Sequence, residues 1–193
     1  MPAKFELIAP CFFGCESTAK FELNRIGAEN IRVDDGRLTF SGGAEMIAAA
    51  NLHLRTVERV MLLLNTYTAT TFDELFDGVY SIHWEELLPA DAAFPVTGSS
   101  LNSQLSSVPA CQSIVKKAVV SRLSEVYGMD TFPETGAEYT IKVTLLKDRA
   151  TITLDTSGAG LHKRGYRVMD VAAPMKETLA AAMVQLSFWR AGR

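Results

Sequence analysis

Long hydrophobic runs are missing from this chain of 193 residues. Its longest apolar stretches, Val60 to Leu64 and Leu179 to Val184, fall far short of the roughly 20 residues that a membrane-spanning helix needs. The opening segment, Met1 to Lys4, also lacks the apolar core of a signal peptide. We therefore expect a cytoplasmic protein with no membrane partner.

Cysteine and histidine are scarce, with three residues of each type. The spacing of the cysteines fits neither a disulfide framework nor a four-ligand zinc site, so we interpret Cys11, Cys15 and Cys111 as free thiols. No serine or cysteine stands in a nucleophile-elbow context beside a histidine. The sequence therefore predicts no metal site and no catalytic residue.

Proline and glycine are also few, at 7 and 13 residues. With 48% hydrophobic and 21% charged residues, the composition is typical of an ordinary folded protein rather than a disordered one. The length is sufficient for two small domains, each with its own buried core.

The charge is unevenly distributed along the chain. The net charge is −3, but residues 1–97 carry 7 basic and 14 acidic side chains, whereas residues 98–193 carry 12 basic and 8 acidic. Such an asymmetry is expected when a face built from the second half meets a polyanion.

The first 70 residues show the order strand, helix, strand, strand, helix, strand. That order is typical of the ferredoxin-like unit, in which two helices cover one face of an antiparallel sheet. The predicted strands are Phe5 to Pro10, Ile31 to Val33, Leu38 to Phe40 and Thr66 to Thr71, and the predicted helices are Glu16 to Ile26, ended by Gly27, and Ala44 to about Leu64. The pair Asp35-Gly36 predicts a tight turn between the two middle strands.

The remaining residues predict a second unit and a final helix. The predicted elements are a helix from Phe72 to Ile82, a strand from Ala93 to Val96, a polar stretch from Thr97 to Ser107, a helix from about Ala110 to Tyr127, a hairpin of residues 138–145 and 149–154, and a helix from Met175 to about Phe188. The last helix has an apolar stripe of Met175, Leu179, Met183 and Leu186. Because no later segment covers this stripe, we expect an unattached helix from a removed domain.

Two basic groups are candidates for contact with a polyanion. Lys116 and Lys117 lie on the predicted polar face of the helix from residue 110, after a loop of small polar residues that suits phosphate. A solvated helix face is the other interpretation of such a pair. The second group lies in the basic, glycine-flanked segment 161–167 and consists of His162, Lys163, Arg164 and Arg167.

Six blocks of the sequence lie in order along nearly the whole chain: FELIAPCFFGC from Phe5, AAANLHLRTVERV from Ala48, TFDELF from Thr71, SSVPACQSIVKKAV from Ser106, DTSGAGLHKRGYR from Asp155 and APMKETLAAA from Ala173. These blocks closely resemble the bacterial THUMP-domain class I RNA methyltransferases, which are often labelled adenine-specific DNA methylases. The sequence departs from that pattern at Ser99-Ser100, where relatives often place a basic residue, and the family's cofactor loop and target-positioning motif are not found.

The resemblance implies an α+β fold with a ferredoxin-like domain at residues 1–68, a THUMP domain at 69–167 and the start of a Rossmann-like domain at 168–193. It also implies binding of structured, ribosomal RNA for methylation of guanine N2. We expect the two basic groups to make that contact, through Lys116, Lys117, His162, Lys163, Arg164 and Arg167. The intact enzyme would use S-adenosylmethionine, and the partner would be a C-terminal methyltransferase domain, with no cofactor in this part.

The sequence allows two alternative functions to be considered. A stand-alone RNA-binding adaptor without activity is the main alternative, and the unpartnered last helix argues against it. An acylphosphatase-like activity would need arginine and asparagine in the first loop, where residues 9–14 offer only backbone groups to a phosphate.

Overall fold

The structure, a computed structural model, describes residues 4–165, 172–187, 189 and 192. It confirms the α+β class. The elements are β1 (Phe5–Pro10), α1 (Glu16–Arg25), β2 (Glu29–Asp34), β3 (Arg37–Gly42), α2 (Ala44–His53), β4 (Met61–Thr68), α3 (Phe72–Tyr80), a 3-10 turn (Trp84–Glu86), β5 (Val96–Leu101), α4 (Val108–Tyr127), β6 (Ile141–Leu146), β7 (Arg149–Asp155) and α5 (Glu177–Leu186).

The chain folds into two compact units. The first unit comprises the described residues of 1–62 and 156–193, and the second comprises residues 63–155. Strand β4 contributes its first two residues to the first unit and the rest to the second. The segment after residue 155 therefore folds with the N-terminal residues.

The first unit contains the ferredoxin-like order that the sequence predicts. Its strands are arranged β2-β3-β1-β4, and β1 pairs antiparallel with both β3 and the start of β4. Gly36, at φ +72°, occupies the turn of the β2–β3 hairpin, and Gly27, at φ +78°, follows the end of α1. Both positions favour glycine because they lie in the left-handed region. The fully buried core includes Leu7, Leu23, Leu38, Phe40 and Leu54.

The second unit combines helices α3 and α4 with a sheet that contains the hairpin β6–β7. Strand β6 pairs antiparallel with β7 and parallel with β5, and β7 neighbours β4. A capping box between Thr71 and Glu74 starts α3, and Pro109 lies in the first turn of α4. The core of this unit includes Trp84, Phe94, Val115, Leu123 and Ile141, all nearly or fully buried.

The predicted helix from Ala44 to Leu64 is wrong in its second half. Helix α2 ends at His53, and the chain continues through an extended Leu54 to β4 at Met61. The predicted strand at residues 66–71 is accordingly shifted. A short apolar run such as Val60 to Leu64 fits a buried strand as well as a helix, so its periodicity does not decide between them.

The polar stretch from Thr97 is also a strand rather than a loop. Strand β5 runs from Val96 to Leu101 and pairs in register with Ile141 to Leu146 of β6. Glycine and serine have low intrinsic strand propensity, and the ladder of hydrogen bonds to β6 overrides that local preference.

Helix α5 is shorter than predicted and is not unattached. Its residues Thr178 and Ala182 are buried in the first unit, where α5 packs against α1. Met175, Met183 and Leu186 of the predicted stripe remain at least half exposed, whereas Leu179 is partly covered. The sequence therefore predicted the stripe correctly but missed the opposite, docked face.

Candidate nucleic-acid interface

The positive charge belongs to the first unit. Residues 1–62 carry 7 basic and 8 acidic side chains and residues 156–193 carry 6 basic and 2 acidic, so this unit has a balance of +3. Residues 63–155 carry 6 basic and 12 acidic side chains, a balance of −6. The net charge therefore favours a polyanion on the first unit. On the second unit a polyanion is favoured only at a surface where basic side chains outnumber acidic ones.

The two lysines of α4 have different surroundings. The ammonium group of Lys116 donates to Glu134 Oε1 at 2.7 Å and to the Phe94 carbonyl at 3.1 Å, and it lies 3.6 Å from the centre of the Phe94 ring. Its side chain is 33% exposed. Lys116 is thus engaged by acceptors of its own unit, contrary to the expectation that both lysines lie free on a wet face.

Lys117 is exposed and accessible to a ligand. Its ammonium group lies 5.9 Å from the centre of the Phe76 ring and has no ion pair with the described residues. It borders an open surface depression of about 650 Å³ that also includes Gln112 and Ser113. An unpaired lysine beside hydrogen-bonding side chains suits a phosphate oxygen.

His162 and Lys163 follow β7 in a turn of the first unit. The Lys163 backbone donates to the Gly160 carbonyl at 2.8 Å, and its side chain is exposed with no hydrogen bond or ion pair to the described residues. His162 Nδ1 lies 3.9 Å from Glu58 Oε2 and has no hydrogen-bond partner there. Lys163 is available for phosphate, whereas His162 faces a carboxylate.

Glu58 holds this turn and the start of α5 in place. Partial burial raises the pKa of Glu58, but hydrogen bonds from Lys176 and Thr178 and the charges of Lys176 and His162 outweigh it and hold the pKa below its ordinary value. The Glu58 carboxylate accepts from Lys176 at 2.6 Å and from Thr178 at 2.5 Å.

The guanidinium of Arg164 covers the end of α2. It donates to the carbonyls of Asn51, Leu52 and Leu54 at 3.0, 2.9 and 2.6 Å, and to that of Leu161 at 3.1 Å. The last carbonyls of a helix have no partner within the helix, so a positive group at this position stabilises it. Arg167 lies outside the described residues.

Replacing Arg164 by alanine is expected to lower the free energy of unfolding of the first unit by about 2 kcal/mol, because charged hydrogen bonds to several carbonyls are lost. Arg164→Lys should recover about half, since an ammonium lacks the planar fork. Hydrogen exchange at residues 50–54 measures the effect, with Lys163→Ala as the exposed control. Unchanged exchange together with weakened RNA binding would show that Arg164 serves a ligand rather than the helix.

A further buried carboxylate, which the sequence did not predict as a site residue, is Glu22 of α1. It accepts hydrogen bonds from the backbone N–H groups of Arg55 and Thr56, from the Thr56 hydroxyl and from the Gln185 amide, at 2.6 to 3.1 Å. The signal was present, because Glu22 lies three residues after Ala19 and beside Leu23 on the apolar stripe of the helix.

Neither a membrane segment nor a metal cluster is found in the part of the chain that the structure describes. No helix there is long and apolar enough to cross a membrane. No group of three or more histidine, cysteine, aspartate or glutamate side chains gathers there as a set of metal ligands.

Comparison with known proteins shows three consecutive domain matches. The RlmL ferredoxin-like domain matches residues 6–61, the THUMP domain matches residues 69–155, and the RMKL-like methyltransferase domain matches residues 164–193.

Individual relatives agree with these matches. The Bacillus subtilis (strain 168) protein named "Putative RNA methyltransferase YpsC" is 49% identical over 98% of this chain and 50% of its own length. "Ribosomal RNA large subunit methyltransferase K/L" of Pseudomonas entomophila (strain L48) is 33% identical over 98% of this chain and 26% of its own length. The crystal structure of SMU.472, "a putative methyltransferase complexed with SAH", superposes with a TM-score of 0.90 at 41% identity, over 98% of this chain and 50% of that one.

This chain spans half the length, or less, of the curated relatives that it matches. The three domain matches follow one another without overlap along the sequence. The chain therefore carries a THUMP domain and is similar over 98% of its length to proteins named as RNA methyltransferases.

Proposed function

We propose that this chain is the RNA-binding part of an S-adenosylmethionine-dependent methyltransferase that modifies guanine N2 in large-subunit ribosomal RNA. In this proposal the chain captures structured RNA and orients it for a C-terminal methyltransferase domain, its covalent partner. The division at residues 1–68, 69–167 and 168–193 stays a prediction.

The observation that supports this proposal most is the order of the three domain matches. A THUMP domain lies between a ferredoxin-like domain and the start of a methyltransferase domain. Relatives that align over 98% of this chain carry names for RNA and ribosomal RNA methyltransferases, and SMU.472 was crystallised with SAH, the product form of the cofactor.

The described residues of the methyltransferase match do not fit S-adenosylmethionine. Among residues 164–165, 172–187, 189 and 192 the only regular element is α5, and no strand and glycine-rich loop precede it there to cradle a cofactor. The proposal therefore assigns these residues no step of methyl transfer. RNA binding is assigned to residues outside this match.

RNA phosphates are bound in this proposal by the lysines that the fold leaves unpaired. Lys117 and Lys163 are exposed and have no ion pair with the described residues. Each phosphate contact releases counterions, so the affinity should fall with salt. Lys116 and Arg164 are already bound to protein oxygens and would have to leave them to reach RNA.

The proposal is tested with residues 1–193 and a labelled ribosomal stem-loop by fluorescence anisotropy at several salt concentrations. Lys117→Gln should weaken binding several-fold and reduce the magnitude of the salt slope by about one unit. Lys116→Gln is the matched control, on the same helix and with the same charge change, and it should alter the slope less. Equal effects would show that Lys116 leaves Glu134 to bind RNA.

The substrate class has its own test. Binding to a DNA hairpin of the same sequence should be weaker than to the RNA, since A-form shape and 2′-hydroxyls distinguish the two. Ribosomal RNA from cells without the gene should lack one N2-methylguanosine by nucleoside mass spectrometry. Intact methylation there, or a preference for DNA, would contradict the proposed substrate.

A further inference from the structure

Two arginines and a histidine outside the predicted basic segments cluster on the first unit. Arg25 is the last residue of α1, His53 is the last residue of α2, and Arg55 follows shortly after. All three are exposed and line one surface depression of about 580 Å³, together with Glu22, Ile26, Ala49 and Leu52.

The side chains of this cluster are largely available to a ligand. Arg25 has no ion pair with the described residues and lies 5.8 Å from the centre of the exposed Phe21 ring. His53 has no hydrogen bond from its ring to those residues. Arg55 has Nε at 3.7 Å from Glu22 Oε1, yet its side chain is 59% exposed.

The one acid that lines the depression, Glu22, is already engaged. Its side chain is only 5% exposed, and its oxygens accept from Thr56, Gln185 and the Arg55 backbone. The oxygens of this carboxylate are therefore occupied by donors of the protein, and Arg55 Nε lies 3.7 Å from Oε1. The carbonyl end of α2 is covered by the guanidinium of Arg164.

We propose that Arg25, His53 and Arg55 form a phosphate-binding patch that holds the RNA backbone on the ferredoxin-like domain. Two guanidinium groups match phosphate oxygens in a bidentate geometry, and an imidazole adds a donor. The unit that carries the patch has a net positive charge, which favours binding of a polyanion. Exposed Phe21 beside Arg25 offers a ring to an unpaired base.

This inference rests on the proposed RNA-binding function and extends it to a second surface. The test uses residues 1–193, a labelled ribosomal stem-loop and the double variant Arg25→Gln/Arg55→Gln, with an unchanged far-UV spectrum and melting temperature as the check of folding. We expect about tenfold weaker binding at about 0.1 M salt and a salt slope reduced in magnitude by about 1.5, for two lost phosphate contacts.

Lys20→Gln/Arg37→Gln is the matched control, because it removes the same charge from the same unit outside the depression. If both double variants weaken binding equally, only net charge matters and the patch is overturned while RNA binding stands. If the unmodified chain binds no RNA, the proposed function and the patch fail together.

The source of the phosphate is distinguished by competition at constant ionic strength. For the RNA backbone, inorganic phosphate at about 10 mM should leave binding of the stem-loop unchanged, since many weak contacts act together. Displacement by submillimolar phosphate that requires Arg25 and Arg55 would identify a site for a free anion instead and would overturn the proposal.

Discussion

Replacing Glu22 by alanine is expected to lower the free energy of unfolding of the first unit by about 3 kcal/mol. The carboxylate joins α1 to the segment before β4 and to α5, through Thr56 and Gln185. Its removal leaves two backbone N–H groups, a hydroxyl and an amide without their acceptor. Water from the adjoining depression can bind some of these donors. The expected loss of stability therefore lies near the lower end of the range for removing one partner of a buried charged contact.

Urea unfolding and hydrogen exchange measure this effect, because two units need not unfold in one transition. Exchange should increase at α1, at Arg55 and Thr56, and along α5. Lys20→Ala is the control, since Lys20 is exposed on the same helix. Glu22→Gln keeps the shape of the side chain, but its NH2 group replaces one carboxylate oxygen and faces donors of the protein. We expect this variant to lose about half as much free energy of unfolding as Glu22→Ala. A loss below about 1 kcal/mol for Glu22→Ala would mean that water replaces the carboxylate.

Replacing Trp84 by alanine is expected to destabilise the second unit by about 4 kcal/mol. This side chain is fully buried and is the largest in the core, and its indole N–H donates to the Val79 carbonyl at 2.9 Å. The alanine variant loses apolar burial, leaves a cavity and removes the side-chain donor to the Val79 carbonyl, which keeps the Ile82 N–H at 3.2 Å. Trp84→Phe keeps most of the packing, so it should cost about 1–2 kcal/mol.

Tryptophan fluorescence reports this unit directly. The chain has two tryptophans, and Trp189 is 61% exposed. Trp189→Phe should therefore change stability little, and Trp84 is then the single source of tryptophan emission. In that background the emission should be blue-shifted when folded and red-shifted in urea. If the backbone amide hydrogens of α3 and α4 exchange as slowly in Trp84→Ala as in the unmodified chain, the assigned role of this side chain in the core is contradicted.

Elements specified by nearby residues could be predicted from the sequence. The β2–β3 hairpin at Gly36, the end of α1 before Gly27 and the start of α4 at Pro109 appear as predicted. Each depends on backbone preferences or periodicity within a few residues, which is information that a single sequence contains. The blocks that resemble a known family added the order of domains, which the comparisons support.

Elements and site residues whose partners are distant in sequence could not be predicted. Strand β5 exists because β6, about 45 residues later, supplies its hydrogen bonds. The ammonium of Lys116 is held by Glu134, 18 residues away, while its neighbour Lys117 stays free for a ligand. Both are lysines at adjacent positions of the same helix, and the partner that engages Lys116 lies outside that helix, so the local sequence does not show which of them is engaged.

The sequence by itself determined the fold class, the turns and helix ends, the family and the presence of a positively charged part of the chain. Only the tertiary structure decided which cations are free to contact a ligand. Arg164 lies in the basic segment, yet it binds carbonyls of α2 that are 110 to 113 residues away, whereas Arg25 and Arg55 lie in the acidic half and line an open depression. The physical reason is that a cation's availability depends on which oxygens the folded chain brings within hydrogen-bond distance, and those oxygens come from remote segments.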